Sequence, residues 1–252
     1  MPKSGSTLGR ALDVLLLFGE ERSELTIEEI SELIQAPRST TYRYVRSLRS
    51  KGLLERSGRG SFCLGPTIMR LARAAHRQQA ISEIALPVMR DVARQTGETV
   101  VLSRWAGHNV ICVECIEGTR AVRTSFDPGQ ILPLHAGAPS KLLLAYAGPK
   151  DLDHYLSLPL EAFTAQTVVD LETLANQLRA IRDQGHCATE SEVDIGVCDL
   201  AVPLLDSRQR VLAALSTSGP CFRMDGTVVD NHLDLLRQGA AAIQEQLVLI
   251  SS

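Results

Sequence analysis

A single basic segment constrains this chain more than any other feature of its sequence. Residues 38–59 contain seven Lys or Arg side chains and one acidic side chain, whereas residues 66–252 contain 16 basic and 21 acidic side chains. A strongly basic segment on an otherwise acidic chain indicates contact with a polyanion. A solvated basic helix face is the alternative, and the arrangement of the surrounding residues decides between the two.

Helical periodicity places the basic segment at the end of a three-helix arrangement. Apolar spacing predicts a first helix over residues 7–18. Thr26, followed three residues later by Glu29, matches a capping box that begins a second helix. The sequence AlaProArg at 36–38 then breaks the chain, and Ser39 is expected to cap a third, basic helix.

A Gly-rich hairpin follows the basic helix and completes the order of a winged helix-turn-helix domain over residues 1–65. In such a domain the third helix enters the major groove of double-stranded DNA. Arginines bind guanine edges or phosphates there, and short hydroxyl side chains near a helix N-terminus approach DNA closely. The predicted DNA-binding residues are Arg38, Ser39, Thr40, Tyr42, Arg43, Arg46 and, at the hairpin tip, Arg59. A small helical domain used for protein contacts is the alternative.

The rest of the chain predicts a linker helix over residues 66–79 and an α+β domain over residues 80–252. Pro66 suits the first turn of the linker helix, which is also a natural dimer helix. Apolar patterning predicts strands over 98–105, 110–116, 120–126, 196–205 and 210–218, and helices over 81–96, from about 140, over 170–184 and over 228–248. An antiparallel sheet with helices packed on it is typical of a sensor domain.

Composition and the length of apolar runs exclude several classes of protein. Hydrophobic residues make up 44% and charged residues 22% of the chain, values near the globular averages, so a disordered chain is excluded. The longest apolar runs, such as residues 14–18, are far shorter than the roughly 20 residues of a membrane helix. The N-terminus lacks the apolar core of a signal peptide. We expect a soluble, cytoplasmic protein with no membrane contact.

The cysteines are scattered along the chain and are expected to be reduced and buried. They are Cys63, Cys112, Cys115, Cys187, Cys198 and Cys221. Cys112 and Cys115 form a CxxC motif inside a strand-like run, where residues three apart face opposite sides of a sheet. No second pair of ligands follows at zinc-finger spacing, so no metal or cofactor is expected. A metal sensor that uses the CxxC motif together with His186 and Cys187 is the alternative.

Motifs in both parts of the chain resemble those of the isocitrate lyase regulator (IclR) family. In the N-terminal part they are IleGluGluIleSer (27–31), ProArgSerThrThrTyrArgTyrValArgSerLeu (37–48) and LysGlyLeuLeuGluArg (51–56). In the C-terminal part they are LeuProLeuHisAla (132–136), GlyValCysAspLeuAlaValPro (196–203) and LeuSerThrSerGlyPro (215–220). The resemblance is specific, because two unrelated halves both match in order, from about residue 7 to residue 247.

The resemblance implies a bacterial transcription regulator, associated with the nucleoid, that forms homodimers or dimers of dimers. It implies a GAF-like effector-binding domain, with a pocket formed by the loop after LeuProLeuHis, the strand that carries a cysteine, and the serines of the last strand. Carried over to this sequence, the implied ligand-binding residues are Ala136, Gly137, Ala138, Pro139, Glu190, Cys198, Leu200, Ser216 and Ser218.

The residues themselves point to a pocket for a small acid. Ser216 and Ser218 alternate along an apolar strand, so both hydroxyls face one side and require partners if buried. Hydrogen bonds to the neighbouring backbone are the alternative. A carboxylate at the N-terminus of the helix near Ser140 would find backbone donors, with Arg104 or Arg123 as candidate partners. We therefore expect a ligand-responsive DNA-binding transcription regulator that senses a small keto or aromatic acid.

An enzyme that acts on a small organic acid, with an N-terminal tether for DNA or protein, is the second hypothesis. Its chemistry would use His135, Ser140, Lys141 or Cys198. No nucleophile elbow, phosphate-binding loop or HExxH motif accompanies these residues. The prediction is therefore that the protein is not an enzyme.

Overall fold

The computed structural model describes residues 7–19, 22–58, 60–77, 80–148, 152, 155–157 and 159–251. The chain forms two units, residues 1–79 and residues 80–252. No helix in this described part is both long and apolar enough to cross a membrane. Arg59, predicted at the tip of the hairpin, lies outside the described residues.

The first unit has a helical core closed by a hairpin. Its elements are α1 (Thr7–Leu15), α2 (Ile27–Leu33), α3 (Arg38–Ser50), β1 (Leu54–Arg56), β2 (Phe62–Leu64) and α4 (Pro66–Arg77). The two strands pair antiparallel. Val14, Ile30, Val45, Leu54 and Phe62 are buried together, so the apolar faces of the first three helices pack against the hairpin. This is the predicted winged helix-turn-helix order.

Local signals determine where the helices of this unit begin. The predicted capping box is confirmed: the Glu29 N–H donates to Thr26 Oγ1, and the Thr26 N–H donates to the Glu29 carboxylate. The predicted cap of α3 is wrong, because Pro37 is the N-cap and its carbonyl accepts the Thr41 N–H at 3.0 Å. Ser39 therefore lies inside the first turn and caps nothing.

The second unit is an antiparallel sheet with helices on both faces. Its elements are α5 (Ala80–Thr96), β3 (Thr99–Ala106), β4 (Asn109–Ile116), β5 (Ile131–Leu132), α6 (Ala138–Ala145), α7 (Leu171–Gln184), β6 (Cys187–Glu190), β7 (Val197–Leu205), β8 (Val211–Pro220), a short 3-10 helix (Cys221–Arg223) and α8 (Gly226–Ser251). The strand order is β5-β4-β3-β8-β7-β6, and every neighbouring pair is antiparallel. The predicted α+β fold class is confirmed.

Alternation along the central strands gives the sheet two different faces. Leu200, Val202 and Leu215 belong to one buried cluster, in which the sheet packs against α5 and α8. Ala201 and Ala214 belong to a second cluster on the opposite face, where α6 and α7 lie. Odd-numbered residues of β7 and even-numbered residues of β8 therefore face α6.

Two segments of the second unit differ from the predicted strands. Residues 120–126 form a loop rather than a strand, and Thr124 Oγ1 holds this loop to the sheet by donating to the Ser218 carbonyl at 3.0 Å. The strand that pairs with β4 on this side is β5 rather than residues 120–126. The sequence pattern did not predict β6, in which Cys187 and Thr189 are buried while Glu190 is exposed at the edge of the sheet.

The predicted orientation of the CxxC motif is wrong because β4 contains a bulge. Cys112 pairs with Ser103 and Cys115 pairs with Val101, which leaves Val113 as an extra residue without a partner in the ladder. Ser103 and Val101 are two residues apart on β3 and share a face. Both thiols of the motif therefore lie on one face of the sheet rather than on opposite faces.

The prediction that all cysteines are reduced is also wrong. Cys198 on β7 and Cys221, the residue that follows β8, form a disulfide, and their Cα atoms are 4.9 Å apart. Pairing of Cys198 with Gly219 in the β7–β8 ladder brings the two cysteines together. The other four cysteines are free thiols, of which Cys112 and Cys187 are buried.

Candidate functional site

The outward face of α3 is the candidate DNA-binding surface of the first unit. Thr41, Tyr44, Val45 and Leu48 are buried, so the helical period turns the residues between them toward solvent. Thr40 is partly buried. The other described residues predicted to contact DNA are exposed, and they are Arg38, Ser39, Tyr42, Arg43 and Arg46.

Only part of the positive charge on this face is neutralised. Arg38 Nη1 lies 3.0 Å from Glu28 Oε1, so this arginine is held against α2. Within the described residues, no carboxylate forms an ion pair with Arg43 or Arg46. No carboxylate of the described residues therefore neutralises these two guanidinium groups, which are of the kind that bind phosphate or a guanine edge.

The second unit contains a cavity of about 180 Å³ between the sheet and the N-terminal end of α6. Residues of β3, β7 and β8 form one side, and the loop before β5, the first turn of α6 and the segment between β6 and β7 form the others. Its polar lining residues are Thr124, Ser125, Gln130, Ser140, Asp194, Asp199, Ser216 and Ser218. None of the described lining residues is a Lys, Arg or His.

Two hydroxyl groups that line the cavity make no hydrogen bond of good geometry with the described residues, although one of them, Ser218, lies close to Asp199. The Oγ atoms of Ser140 and Ser218 are buried and make no hydrogen bond with the described residues. Ser216 Oγ, in contrast, donates to the Val101 carbonyl at 3.3 Å, as the backbone alternative expected. A buried hydroxyl without a partner costs about 1–3 kcal/mol. Two of them at one cavity indicate a place for a hydrogen-bonding ligand.

A buried ion pair holds the wall of the cavity together. Lys141 in α6, whose side chain is 2% exposed, pairs with Glu192 and donates to Gln177 Oε1 in α7 at 2.8 Å. The other carboxylate oxygen of Glu192 accepts the Gly137 N–H at 3.2 Å. The main-chain carbonyl of Glu192 accepts Thr167 Oγ1 at 2.6 Å. The segment between β6 and β7 is thereby fastened to both helices.

Asp199 projects from β7 into the cavity. Burial, with a smaller contribution from the negative charges of Glu192 and Asp194, raises the pKa of Asp199 to about 6. Ser218 is close enough to lower this pKa, although its hydroxyl makes no hydrogen bond of good geometry. Gly137 precedes α6 beside this carboxylate, and its φ of +80° is a backbone conformation that residues other than glycine rarely adopt.

The structure brings together five of the residues that the family resemblance implied. Those that line the cavity are Ala136, Gly137, Pro139, Ser216 and Ser218. Cys198 and Leu200 lie outside it, because alternation along β7 turns them toward α5 and α8 and turns Asp199 toward the cavity. Ala138 is buried in the first turn of α6, and Glu190 is exposed at the end of β6.

Sequence reasoning missed Glu192 and Asp199 as residues of the site. Asp199 pairs with Ser218 in the β7–β8 ladder, so the alternation that singles out Ser218 also singles out Asp199 once the pairing is known. The two arginines considered as carboxylate partners do not line the cavity. Arg123 instead pairs with Glu117 at 2.7 Å.

The residues of the metal-sensor hypothesis do not form one site. The CxxC motif on β4 and Cys187 on β6 are separated by three strands, about 19 Å at the usual strand spacing. Among the described residues, one group of three possible ligands lies within 4.8 Å, namely Glu190, Cys198 and Cys221. The two cysteines of this group form the disulfide and present no thiolate to a metal.

Three of the four residues of the enzyme hypothesis are engaged in other contacts. The His135 ring nitrogen Nε2 lies 2.9 Å from the Glu161 carbonyl, Lys141 is paired with Glu192, and Cys198 is part of the disulfide. Ser140 Oγ has no hydrogen-bond partner among the described residues. These four residues therefore do not assemble a nucleophile with its base.

A winged helix-turn-helix unit followed by an α+β unit with a cavity of about 180 Å³ is the arrangement expected of a transcription regulator with a separate effector domain. Comparison with known proteins agrees with this class. The IclR helix-turn-helix domain matches residues 7–58, and the bacterial transcriptional regulator IclR C-terminal domain matches residues 73–245. The chain therefore belongs to the IclR family.

Several relatives match over nearly the whole chain, and they are named as transcription regulators. The chain is 34% identical to the regulator BhcR of Paracoccus denitrificans over 92% of this chain and 84% of that protein. It is 31% identical to the regulator XynR of Escherichia coli over 94% of this chain and 95% of that protein. Among solved structures, an IclR homologue of Microbacterium hydrocarbonoxydans in complex with 4-hydroxybenzoate matches with TM-score 0.81 and 30% identity, covering 97% of this chain and 100% of that chain. A regulator of Silicibacter matches with TM-score 0.89 and 27% identity, covering 96% of each chain.

Proposed function

We propose that this protein is a ligand-responsive DNA-binding regulator that binds a small organic acid in the cavity of its second unit. The observation that carries this proposal is the pair of buried hydroxyls, Ser140 and Ser218, that line the cavity and make no hydrogen bond of good geometry with the described residues. Hydroxyl groups can donate hydrogen bonds to a carboxylate. The relative that holds 4-hydroxybenzoate supports the same class of ligand.

In this proposal each part of the chain has its own role. Residues 1–65 bind a double-stranded DNA operator through α3, residues 66–79 act as the linker helix, and residues 80–252 bind the effector. Binding of the effector changes DNA affinity only if the ligand prefers one of two arrangements of the DNA-binding helices. The protein acts in the bacterial cytoplasm, at the nucleoid.

A second copy of the chain is the proposed partner of the first unit. Leu8 on α1 and Leu16, which follows the end of that helix, are 71% and 65% exposed, and Met69 on α4 is 62% exposed. Large apolar side chains left exposed on two helices suit burial in an interface. Dimers of helix-turn-helix proteins bind two half-sites. A dimer of this chain would therefore match an operator with two-fold symmetry. Sedimentation of the purified protein would show a dimer or a dimer of dimers.

A DNA titration tests the proposed function. Fluorescence anisotropy would follow binding of the full chain to a labelled fragment from upstream of its own gene, at two salt concentrations and with non-specific competitor DNA. Affinity should fall with salt in proportion to the phosphates contacted. Loss of one guanidinium contact in Arg43→Ala should weaken binding about tenfold or more.

Arg179→Ala is the matched control, because this exposed arginine lies on α7 of the second unit rather than in the proposed DNA-binding unit. It should leave the affinity unchanged. Release of the fragment by a small organic acid would support the effector role. Binding that disappears with competitor, or an Arg43→Ala variant that binds as tightly as the wild type, would contradict the proposal.

A further inference from the structure

The cavity carries a negative charge that a simple organic acid leaves without a counter-ion. Asp199 and Asp194 line it, and the described lining residues include no cationic side chain. Lys141, a buried cation in the neighbouring turn of α6, is already paired with Glu192. The chemistry of this cavity limits which effector it can bind, and the identity of that effector rests on the proposed function.

Asp199 is fixed in place by the sheet and faces the ligand space. It lies opposite Ser218 in the β7–β8 ladder, and the Gly137 backbone passes beside it. With its pKa at about 6, the carboxyl group is mostly ionised at neutral pH. An anion partly removed from water is costly unless a cation or hydrogen-bond donors pair with it. A protonated nitrogen on the ligand would supply both.

The ligand carboxylate has a separate place in the same cavity. Ser140 and Ser218 contribute two hydroxyls that make no hydrogen bond of good geometry within the described part of the chain, and Ser140 lies in the first turn of α6. Backbone N–H groups and the helix dipole favour negative charge at that end of a helix. A ligand with a carboxylate alone would use these donors but would bring a second negative charge close to Asp199, which is unfavourable.

The volume of the cavity limits the size of the ligand. The cavity measures about 180 Å³, and a protein cavity of about 150 Å³ holds benzene, so roughly six to nine non-hydrogen atoms fit. The α-amino acids from alanine to leucine have this size and carry a carboxylate and an ammonium group on one carbon atom. We propose that the effector is a small zwitterion, an α-amino acid of this size, whose carboxylate binds the Ser140 and Ser218 hydroxyls and whose ammonium group binds Asp199.

Calorimetric titration of the full chain tests this proposal with matched pairs of ligands. The probes are alanine, serine, threonine, valine and leucine, each compared with the acid that lacks its amino group, such as valine with 3-methylbutanoate. At least one amino acid should bind about tenfold more tightly than its matched acid, as expected for a charge-assisted contact. If every acid binds as tightly as its amino acid, or if none of the five amino acids binds, the proposal is wrong.

Variants at position 199 separate a direct contact from a general effect. Asp199→Asn should reduce the preference for the amino acid to about threefold or less. Asp183→Asn, which removes an exposed carboxylate on α7, should leave the preference intact. Asp199→Ser serves as the second variant if the Asn protein does not fold by circular dichroism. A preference that persists in a folded Asp199 variant would overturn the assignment.

The DNA titration distinguishes failure of this proposal from failure of the proposed function. Release of the operator fragment by plain acids, with amino acids inert, would leave a ligand-responsive regulator whose effector class is different. Absence of specific DNA binding would instead refute the proposed function itself.

Discussion

Replacing Lys141 by Met is expected to destabilise the second unit by about 3–5 kcal/mol, because it leaves the Glu192 carboxylate buried without its counter-ion. The Lys141 and Glu192 side chains are 2% and 9% exposed, so water cannot take the place of the lost partner. The Gly137 N–H, at 3.2 Å, remains as a donor to Glu192 but carries no full charge. Combining Lys141→Met with Glu192→Leu should cost much less, because no unpaired charge then remains.

The only tryptophan of the sequence gives a direct readout of this effect. Trp105 lies in β3 and stacks on Tyr155 with ring centroids 4.9 Å apart, so its fluorescence follows the unfolding of the second unit. Urea unfolding of the wild type, both single variants and the double variant gives the coupling energy of the pair.

A surface ion pair of the same unit provides the control. Arg94→Met removes the exposed pair with Asp91 on α5 and should change the free energy of unfolding by less than about 1 kcal/mol. A Lys141→Met protein that unfolds at the wild-type urea concentration would refute the reasoning. A double variant that loses as much stability as the two single variants added together would also refute it.

Two further predictions concern titration and redox state. Asp199→Asn should raise the free energy of unfolding at pH 8 by at most about 3 kcal/mol, because a pKa raised to about 6 makes the native state favour the protonated acid. This advantage should fade as the pH falls from 6 toward 4, and urea curves that show a constant advantage would contradict it. Reduction of the Cys198–Cys221 disulfide, which spans a sequence separation of 23 residues, should cost about 3 kcal/mol. Thiol titration of unfolded protein should give four thiols without reductant and six with it; six without reductant would disprove the bond.

The features that can be predicted from the sequence are those whose contacts are local. The capping box at Thr26 and Glu29 lies within one helical turn, and Asp170 and Gly185 mark the two ends of α7 in the same way. The exposed arginines of α3 follow from the helical period alone, because Val45 and Leu48 mark the buried side. These features need no knowledge of which segments meet in the fold.

The features that the sequence does not reveal depend on pairing between distant segments. The bulge at Val113 reverses the expected facing of the CxxC motif, and only the β3–β4 register shows it. Likewise, Cys198 and Asp199 are neighbours with opposite facing, and the choice of the cavity residue between them is set by the pairing of β7 with β8. Cys198, which the family resemblance implied, therefore lies on a strand that lines the cavity but faces the other side of the sheet.

The two-sided nature of β7 and β8 has a consequence for how such proteins diverge. Core positions such as Leu200 and Leu215 alternate with cavity positions such as Asp199 and Ser218. Mutations at the cavity positions change the chemistry offered to a ligand while the packing against α5 and α8 stays intact. Over evolutionary time, new effector specificities can therefore arise from a few alternate positions on two strands, at little risk to folding.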